Sequence, residues 1–178
     1  MKFTPRHPLV LDGAWSFAWS QSPADFRTVA DLRQSGLPPR PCQVPGNFEL
    51  DLHANGLIGE PFSGMNIAAL RAYESAHVWY FRHFDCTAPV DTTPVLVFEG
   101  LDCFADVFLN GRCIGSSANA LVEHVFPAEG LRATGNELLI HLRPAVEEAR
   151  RFDYPPGAVA QPHAYARLVV RKPPHAFG

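Results

Sequence analysis

The sequence lacks the features that mark membrane, secreted or nucleic-acid-binding proteins. No window approaches the roughly 18 unbroken apolar residues that a membrane-spanning helix needs. The formal net charge is −3 with histidine neutral, so no basic excess indicates nucleic acid. Lys2, Arg6 and His7 are not followed by the apolar segment of a secretory signal. We therefore expect a cytoplasmic protein with no membrane or nucleic-acid partner.

Cysteine and histidine also lack the spacings of metal or disulfide sites. None of the four cysteines (Cys42, Cys86, Cys103 and Cys113) forms a C-x-x-C pair, and the eight histidines show no metal-ligand spacing. If Asn110-Gly111 is a two-residue turn, Phe108 pairs with Cys113, and Cys103 lies too far along the ladder to bond it. We expect four reduced thiols, no metal and no cofactor.

The sequence is rich in the turn-forming residues proline and glycine and in phenylalanine. Its 17 prolines, 13 glycines and 13 phenylalanines are typical of many short strands joined by tight turns. A loop-rich mixed fold is the alternative, but the patterned segments favour an all-β domain. At 178 residues, the chain is long enough for one domain with a real core and short for two. We therefore treat residues 1–178 as a single domain.

Apolar patterning predicts about eight strands. The Asn110-Gly111 pair between alternating segments is the strongest hairpin signal, because both residues tolerate positive φ. The segments are LVL and AWSFAW around Asp12-Gly13, HVWYFRHF, PVLVFEGL as a buried strand, ADVFL and RCIGSS around the hairpin turn, LVEHVFP, GNELLIHLRP and ARLVVRK. Together they predict a jelly-roll β-sandwich of two antiparallel sheets.

One or two short helices are expected beside these strands. ADFRTVADLRQ places Phe26, Val29 and Leu32 on one side, and Pro144 begins a helical turn or two that runs to Arg151. Residues 36–74 are expected to be irregular, because their prolines exclude a central strand. Long ordered loops are often functional or pack against a neighbour.

The central segment carries a family resemblance. VFEGLDCFADVFLNGRCIG (residues 97–115) resembles the core motif of the sugar-binding domain of glycoside hydrolase family 2, in which F-x-G-x-D precedes A-x-V-x-L-N-G. HVWYFRHF upstream and GNELLIHLRP downstream resemble the adjoining strands of that domain. The resemblance covers nearly the whole chain and implies a galactose-binding-domain-like sandwich.

Two further segments resemble the β-mannosidase branch of this family. VPGNFELDLHANGLIGEPFSGMN (residues 44–66) is similar to its V-P-G, D-L, G-L-I and P-F-x-G-x-N pattern, and VVRKPPHAFG to its R-K strand that runs into F-G. The sequence departs from the branch in two places. Glu49 stands where a histidine is usual, and residues 62–67 read FSGMNI where F-Y-G-D-N-E is common.

The resemblance implies a division of labour within a longer parent enzyme. Family 2 enzymes are retaining glycosidases, which need two carboxylates about 5–5.5 Å apart. By resemblance both belong to a barrel that follows Gly178, with immunoglobulin-like domains beyond it, so we assign no catalytic residue and expect this chain alone to be inactive. The segment that would lead into the carbohydrate site contains the expected active-site wall: Arg171, Lys172, His175 and Phe177.

The chain's own carboxylates favour structural interpretations. Glu147 and Glu148 are helical neighbours that point about 100° apart, so a solvated helix face is more plausible than a catalytic pair. Glu99 and Asp102 flank Gly100, where side-chain bonds to the backbone would hold the turn.

Aromatic residues divide between core and surface. Trp15, Trp19 and Trp79 alternate along strands, which favours core packing over a sugar-stacking platform. Phe62, Tyr73 and Phe177, in irregular segments, are freer to meet a ligand or another domain. Three hypotheses remain: an accessory domain that helps shape a glycosidase active site, a stand-alone carbohydrate-binding module, and a purely structural interaction domain. The fold fits all three.

Overall fold

The computed structural model describes residues 8–88, 91–149 and 151 of the chain. Within them, eight strands and four short helices are formed. The strands are β1 (Gly13–Ser20), β2 (Arg40–Val44), β3 (His77–Phe84), β4 (Val95–Phe98), β5 (Phe104–Leu109), β6 (Arg112–Ala118), β7 (His124–Pro127) and β8 (Asn136–Arg143). The helices are α1 (Val29–Gln34), α2 (Phe48–Ala54), a 3₁₀ helix (Asn66–Tyr73) and α3 (Ala145–Ala149).

The strands form two antiparallel sheets. Six of them pair in the order β2-β1-β3-β8-β5-β6, and β4 pairs with β7 in a smaller sheet. The predicted fold class is therefore confirmed: an all-β arrangement of antiparallel sheets with a few short helices. The predicted last strand, residues 166–172, lies outside the described residues.

The large sheet buries side chains on both faces, because period-two alternation sends neighbours to opposite sides. One face packs against the small sheet and α2, and the other packs against α1. The first face carries Trp15, Phe17, Val78, Tyr80, Ala105, Val107, Leu138 and Ile140. The second carries Ala18, Trp79, Phe81, Phe108 and Leu139, with Val29 and Leu32 of α1 against them. The predicted apolar side of α1 is confirmed, since Phe26 also packs there.

A glycine lets the two sheets approach closely. A Cβ built at Gly115 on β6 would lie 2.1 Å from the ring of Phe126 on β7. No side chain fits in that space, so the close packing of β7 on β6 requires glycine at this position.

The hairpin predicted at Asn110-Gly111 is confirmed with its register. Asn110 has φ 52° and Gly111 has φ 81°, as a two-residue turn with positive φ at both positions requires. Leu109 pairs with Arg112 and Phe108 with Cys113. All four cysteines are free.

Two asparagines from separate motifs meet beside this turn. Asn110 donates a hydrogen bond to Asn136 Oδ1 (3.1 Å), and its own Oδ1 accepts one from the backbone N–H of Glu137 (2.9 Å). Asn136, fully buried, donates to the carbonyl of Arg132 (2.6 Å) and accepts from the N–H of Arg132 (2.8 Å). The pair therefore ties the β5–β6 turn to the loop that enters β8.

Two strand predictions were wrong in detail. Leu9 to Leu11 form no strand before β1; instead the Leu11 carbonyl accepts hydrogen bonds from Trp15 Nε1 (2.7 Å) and from Arg82 Nη1 (2.7 Å). Side-chain donors thus take the place of a ladder there. PVLVFEGL contains β4, but that strand is half-buried, because a two-stranded sheet covers only one of its faces.

The stretch from residue 36 to 74 is more ordered than its prolines predict. It contains β2, α2 and the 3₁₀ helix. Pro41 lies within β2, which is possible because β2 forms the edge of the large sheet and pairs only with β1. The prolines therefore excluded a central strand, as expected, but not an edge strand or short helices.

In the described part of the chain, no helix is long and apolar enough to cross a membrane.

We expect Asn136→Ala to lower the free energy of unfolding by about 2 kcal/mol or more, because it leaves buried polar groups of the Arg132 loop and of Asn110 without partners. Urea unfolding followed by far-ultraviolet circular dichroism measures this change. Asn119→Ala, at an exposed position, is the matched control and should stay within about 0.5 kcal/mol of the unsubstituted chain. Equal losses for the two variants would contradict the role given to Asn136.

Candidate functional site

The four residues predicted to form the active-site wall, Arg171, Lys172, His175 and Phe177, lie outside the described residues, as does most of their segment. Their role stays a prediction. Two regions of the described chain instead bring buried ionisable side chains together. One is the proline-rich stretch around α2, and the other is the end of the large sheet where α3 packs.

Helix α2 is positioned by its cap and by one buried carboxylate. Asn47 begins the helix, and its side-chain oxygen accepts a hydrogen bond from the N–H of Leu50 (2.9 Å). Asp51 and Leu52 form the buried side of α2. The Asp51 carboxylate accepts a hydrogen bond from the hydroxyl of Tyr80 on β3 (2.8 Å). This bond holds α2 against the first face of the large sheet.

Burial sets the protonation behaviour of this group. Desolvation raises the pKa of Asp51 above its ordinary 3.8, although the hydrogen bond from Tyr80 acts in the opposite direction. Burial, together with the Asp51 charge, also raises the pKa of Tyr80 and that of the Cys42 thiol, the latter to about 12. Tyr80 and Cys42 therefore stay neutral at physiological pH, and Tyr80 is a permanent donor to Asp51.

After α2 the chain forms a loop that exposes three large apolar side chains. Phe62 is 79% exposed, Met65 79% and Ile67 56%. We call these three residues the apolar loop. Asn66 holds its base by donating from Nδ2 to the carbonyl of Glu60 (2.9 Å), and His53 Nε2 lies 3.3 Å from the Glu60 carboxylate. The loop is thus tied to α2 while its apolar side chains face solvent.

The two departures from the family pattern both lie in this region. Glu49 is exposed on the first turn of α2, and the FSGMNI segment is the apolar loop itself. Partial desolvation, and then the charge of Glu49, raise the pKa of Asp102, although that residue as a whole is exposed. The Glu49 charge therefore reaches Asp102 across this surface.

The predictions for the aromatic residues are confirmed for some residues and wrong for others. Trp15 (6% exposed) and Trp79 (0%) are core residues, as predicted. Trp19 is half-buried, with the Arg40 guanidinium 5.7 Å from its ring centre. Tyr73 is not free for a ligand, because its ring packs edge-on against Trp19 (centroids 6.3 Å apart) and against Phe48 (5.8 Å). Phe62 is exposed, as expected.

The second region is a group of rings that sequence reasoning missed. His77 on β3 is 5% exposed and His141 on β8 is 8% exposed. His77 Nδ1 lies 3.0 Å from His141 Nε2, and His77 Nε2 lies 3.3 Å from Oε2 of Glu147 on α3. The His141 ring stacks on Trp79, with centroids 4.7 Å apart and planes within 9°. We call these four residues the histidine cluster.

The sequence contains only part of the pattern that would predict this cluster. Alternation along β3 places His77 and Trp79 on one face, but only the β3–β8 register places His141 opposite Trp79. Burial, and next the neighbouring His77, lower the pKa of His141 to about 4. His141 is therefore neutral at physiological pH.

Glu148 corrects the expectation of a solvated helix face. It is 7% exposed, and its carboxylate contacts Arg143 (3.4 Å) and Arg151 (3.0 Å). Arg143 also lies 3.4 Å from Asp106 on β5. Glu148 and Glu147 thus hold α3 to the sheet through different partners, and neither is directed toward the other as a catalytic pair requires.

The side chains of these two regions attach α2 and α3 to the large sheet, and the apolar loop presents a surface to solvent. Residues 8–88, 91–149 and 151 contain no group of three or more His, Cys, Asp or Glu side chains that could hold a metal ion. A shallow groove of about 430 Å³ is lined by Cys86, Thr87, Ala88, Pro94, Ala128, Gly130, Leu131, Arg132 and Ala133. It collects no set of titratable groups suited to bond cleavage.

Comparisons with known proteins identify relatives along nearly the full chain. The family model described as glycosyl hydrolase 2 galactose-binding domain-like matches residues 15–178. "Beta-mannosidase B" of Thermothelomyces thermophilus is 36% identical over 140 residues, which cover 76% of this chain and 15% of that protein. "Beta-mannosidase B" of Emericella nidulans is 34% identical over 119 residues, covering 65% of this chain and 13% of that protein.

Solved structures agree with these sequence relatives. The β-D-mannosidase of Dictyoglomus thermophilum superposes with a TM-score of 0.72 at 28% identity, covering 96% of this chain and 20% of that one. A β-glucuronidase of Bifidobacterium dentium superposes with a TM-score of 0.51 at 25% identity, covering 75% of this chain and 19% of that one. The chain thus spans about a fifth or less of the proteins that it matches.

We expect Tyr80→Phe to lower the free energy of unfolding by about 1–3 kcal/mol at pH 7, because the buried Asp51 carboxylate loses the Tyr80 hydroxyl and keeps only the backbone N–H of Gln43 as a donor. Without that donor the pKa of folded Asp51 rises further. A carboxyl whose pKa is raised by folding stabilises the protein below its unfolded pKa of about 3.8, and this stability is lost as the pH rises through the folded value. The cost of Tyr80→Phe should therefore be larger at pH 7 than at pH 4.

Urea unfolding at the two pH values measures this difference. Tyr73→Phe is the matched control, since it also removes one hydroxyl from a packed ring but leaves Asp51 unchanged, and its cost should not follow pH in this way. A Tyr80→Phe cost that is the same at pH 4 and pH 7 would show that the Asp51 charge is not what Tyr80 stabilises.

Proposed function

Because the chain belongs to the glycosyl hydrolase 2 galactose-binding domain-like family, we propose that it is the accessory domain of a β-mannosidase-like glycoside hydrolase. The β-mannosidases that it resembles support this assignment, and it matches 13–20% of their length. Hydrolysis of the glycosidic bond would then belong to other parts of a longer protein. Residues 1–178 form one domain of that protein in this proposal.

The proposed role is to pack against a catalytic barrel and help to shape one side of its carbohydrate site. A retaining glycosidase needs a nucleophile and an acid/base carboxylate about 5–5.5 Å apart. The buried acids of this domain have structural partners instead: Asp51 with Tyr80, and Glu148 with Arg143. Its contribution to the reaction is therefore positional. Arg171, Lys172, His175 and Phe177 remain the proposed side chains toward the carbohydrate.

The apolar loop is the observation that carries this proposal. Phe62, Met65 and Ile67 expose large apolar side chains within six residues, and clustered exposure of this kind marks an interaction surface. Asn66 and Glu60 hold the loop in one position, so the surface is already formed before a partner binds. We propose that its partner is the adjoining part of the parent chain, which the longer relatives possess.

We expect purified residues 1–178 to show no hydrolysis of an aryl β-mannoside, because the carboxylate pair that the reaction needs is proposed to lie elsewhere. A complete β-mannosidase related to this chain serves as the positive control in the same colorimetric assay. Calorimetric titration with mannose should show weak binding or none. Turnover by the isolated chain would overturn the proposal, and tight stoichiometric binding would favour a stand-alone carbohydrate-binding module.

We expect the apolar loop to be needed for activity in a chimera in which this chain replaces the matching region of the Thermothelomyces thermophilus β-mannosidase. Phe62→Ser with Met65→Ser should lower kcat/KM on an aryl β-mannoside by about tenfold, which corresponds to about 1.4 kcal/mol at a central interface position.

The matched control is Leu121→Ser with Val122→Ser, which removes two exposed apolar side chains from another loop (55% and 45% exposed). This control should keep the activity of the unsubstituted chimera within about twofold, since scattered surface apolar residues need no partner. Equal effects of the two double variants would contradict a specific role for the apolar loop.

A further inference from the structure

Helix α3 is attached to the large sheet through the histidine cluster. His77 lies between two partners: Glu147 of α3 on its Nε2 side at 3.3 Å, and His141 of β8 on its Nδ1 side at 3.0 Å. Both imidazole rings are at least nine-tenths buried, so water does not replace these contacts. The helix is also the point at which the chain leaves the described strands, toward residues 152–178.

The contact between His77 and His141 limits how many protons the two imidazole rings can carry together. Only one hydrogen can occupy the 3.0 Å contact between His77 Nδ1 and His141 Nε2, so one nitrogen must donate and the other accept. A single imidazolium at His77 is compatible with the contact, since it would donate from Nδ1 to His141 and pair by charge with the Glu147 carboxylate 3.3 Å from Nε2. When His141 is also protonated, two N–H groups face each other and two cations stand with ring centres 5.2 Å apart. That state breaks the contact.

We propose that the histidine cluster is a proton-operated latch: it holds α3 against the sheet while at most one of His77 and His141 is protonated, and it releases α3 when His141 is protonated beside an already protonated His77. The stacked geometry supports the proposal, because the rings of His77, Trp79 and His141 contact one another, with centroids 4.7, 5.2 and 6.2 Å apart, so a displacement of His141 disturbs both neighbours.

The surrounding charges leave His141 as the group that responds. Asp106 on β5 and Asp25 before α1 favour its protonation, whereas Arg143 on β8, His77 and burial oppose it. The opposing effects dominate and lower the pKa of His141 to about 4, against 6.5 in an exposed state. A base whose pKa is lowered in the closed form stabilises that form above pH 6.5, and this stability is lost as the pH falls toward 4.

Release of α3 alone can be distinguished from unfolding of the whole domain, because α1 and α3 are attached to the sheet by different contacts. Glu148 of α3 is paired with Arg143 and Arg151, independently of the histidines. Helix α1 packs on the same face of the sheet through Val29 and Leu32, in the apolar core that includes Trp79, and the Val29 N–H also donates to Glu137 of β8 (2.9 Å), an attachment that does not use the two histidines. Opening of the latch should therefore expose α3 and leave α1 protected.

The test is native-state amide hydrogen exchange of the full chain, followed by NMR and corrected for the intrinsic effect of pH. Between pH 7 and pH 4.5 the opening constant of the α3 amides (residues 145–149) should rise by between about tenfold and a hundredfold, since each pKa unit contributes a factor of ten. Amides of α1 (residues 29–34) should not change with it. The midpoint for α3 should coincide with titration of the His141 ring in the same sample.

His141→Gln keeps a hydrogen-bonding side chain that cannot be protonated, so its α3 amides should stay protected at pH 4.5. His53→Gln is the matched control: His53 on α2 also pairs with a glutamate, Glu60 at 3.3 Å, but it belongs to no histidine pair and contacts neither α1 nor α3 in the described hydrogen bonds, so its variant should respond like the unsubstituted chain.

Three results would overturn the latch. One is an α3 opening constant that stays constant while His141 titrates, and another is loss of α1 and α3 protection together. The third is an α3 midpoint that follows the carboxyl groups instead of the His141 ring. The first and third are read from the unsubstituted chain, so the test stands even if His141→Gln fails to fold.

Discussion

The pairing of β3 with β8 is the constraint on which the rest of the structure depends. Seven residues of each strand are in register, from Val78 opposite Leu142 to Phe84 opposite Asn136. Both strands are buried on both faces, so their alternate side chains fill two different cores. A slip of one residue would exchange the side chains of the two cores, which makes this register strongly specified.

Each polar anchor of the domain is built on that pair of strands. Tyr80 of β3 holds α2 through Asp51 on one face of the sheet, and His77 with His141 contacts α3 on the other. Asn136, at the start of β8, accepts a hydrogen bond from the side chain of Asn110 in the β5–β6 turn. Helices too short to be stable alone are therefore fixed by a few buried polar contacts together with apolar packing, and these contacts depend on correctly registered strands.

This construction agrees with an accessory role in a longer glycosidase. The buried acids Asp51 and Glu148 attach helices to the sheet, and the apolar loop is exposed to solvent. A domain of this kind positions surfaces more than it performs chemistry. Fold alone does not establish that role, because sandwiches of this class serve many functions. The family match and the resemblance to β-mannosidases are what support the proposed role.

The sequence by itself determined the fold class, the Asn110-Gly111 hairpin with its register, the apolar side of α1 and the family, because these depend on local periodicity and on turn chemistry within a few residues. Tertiary structure alone decided which strands became neighbours. That pairing buried Glu148, brought His141 against His77, kept Pro41 in an edge strand and turned an apparently irregular stretch into α2 and a 3₁₀ helix. The physical reason is that desolvation, ion pairing and edge position are properties of spatial neighbours, and residues far apart in the chain become neighbours only when the sheet forms.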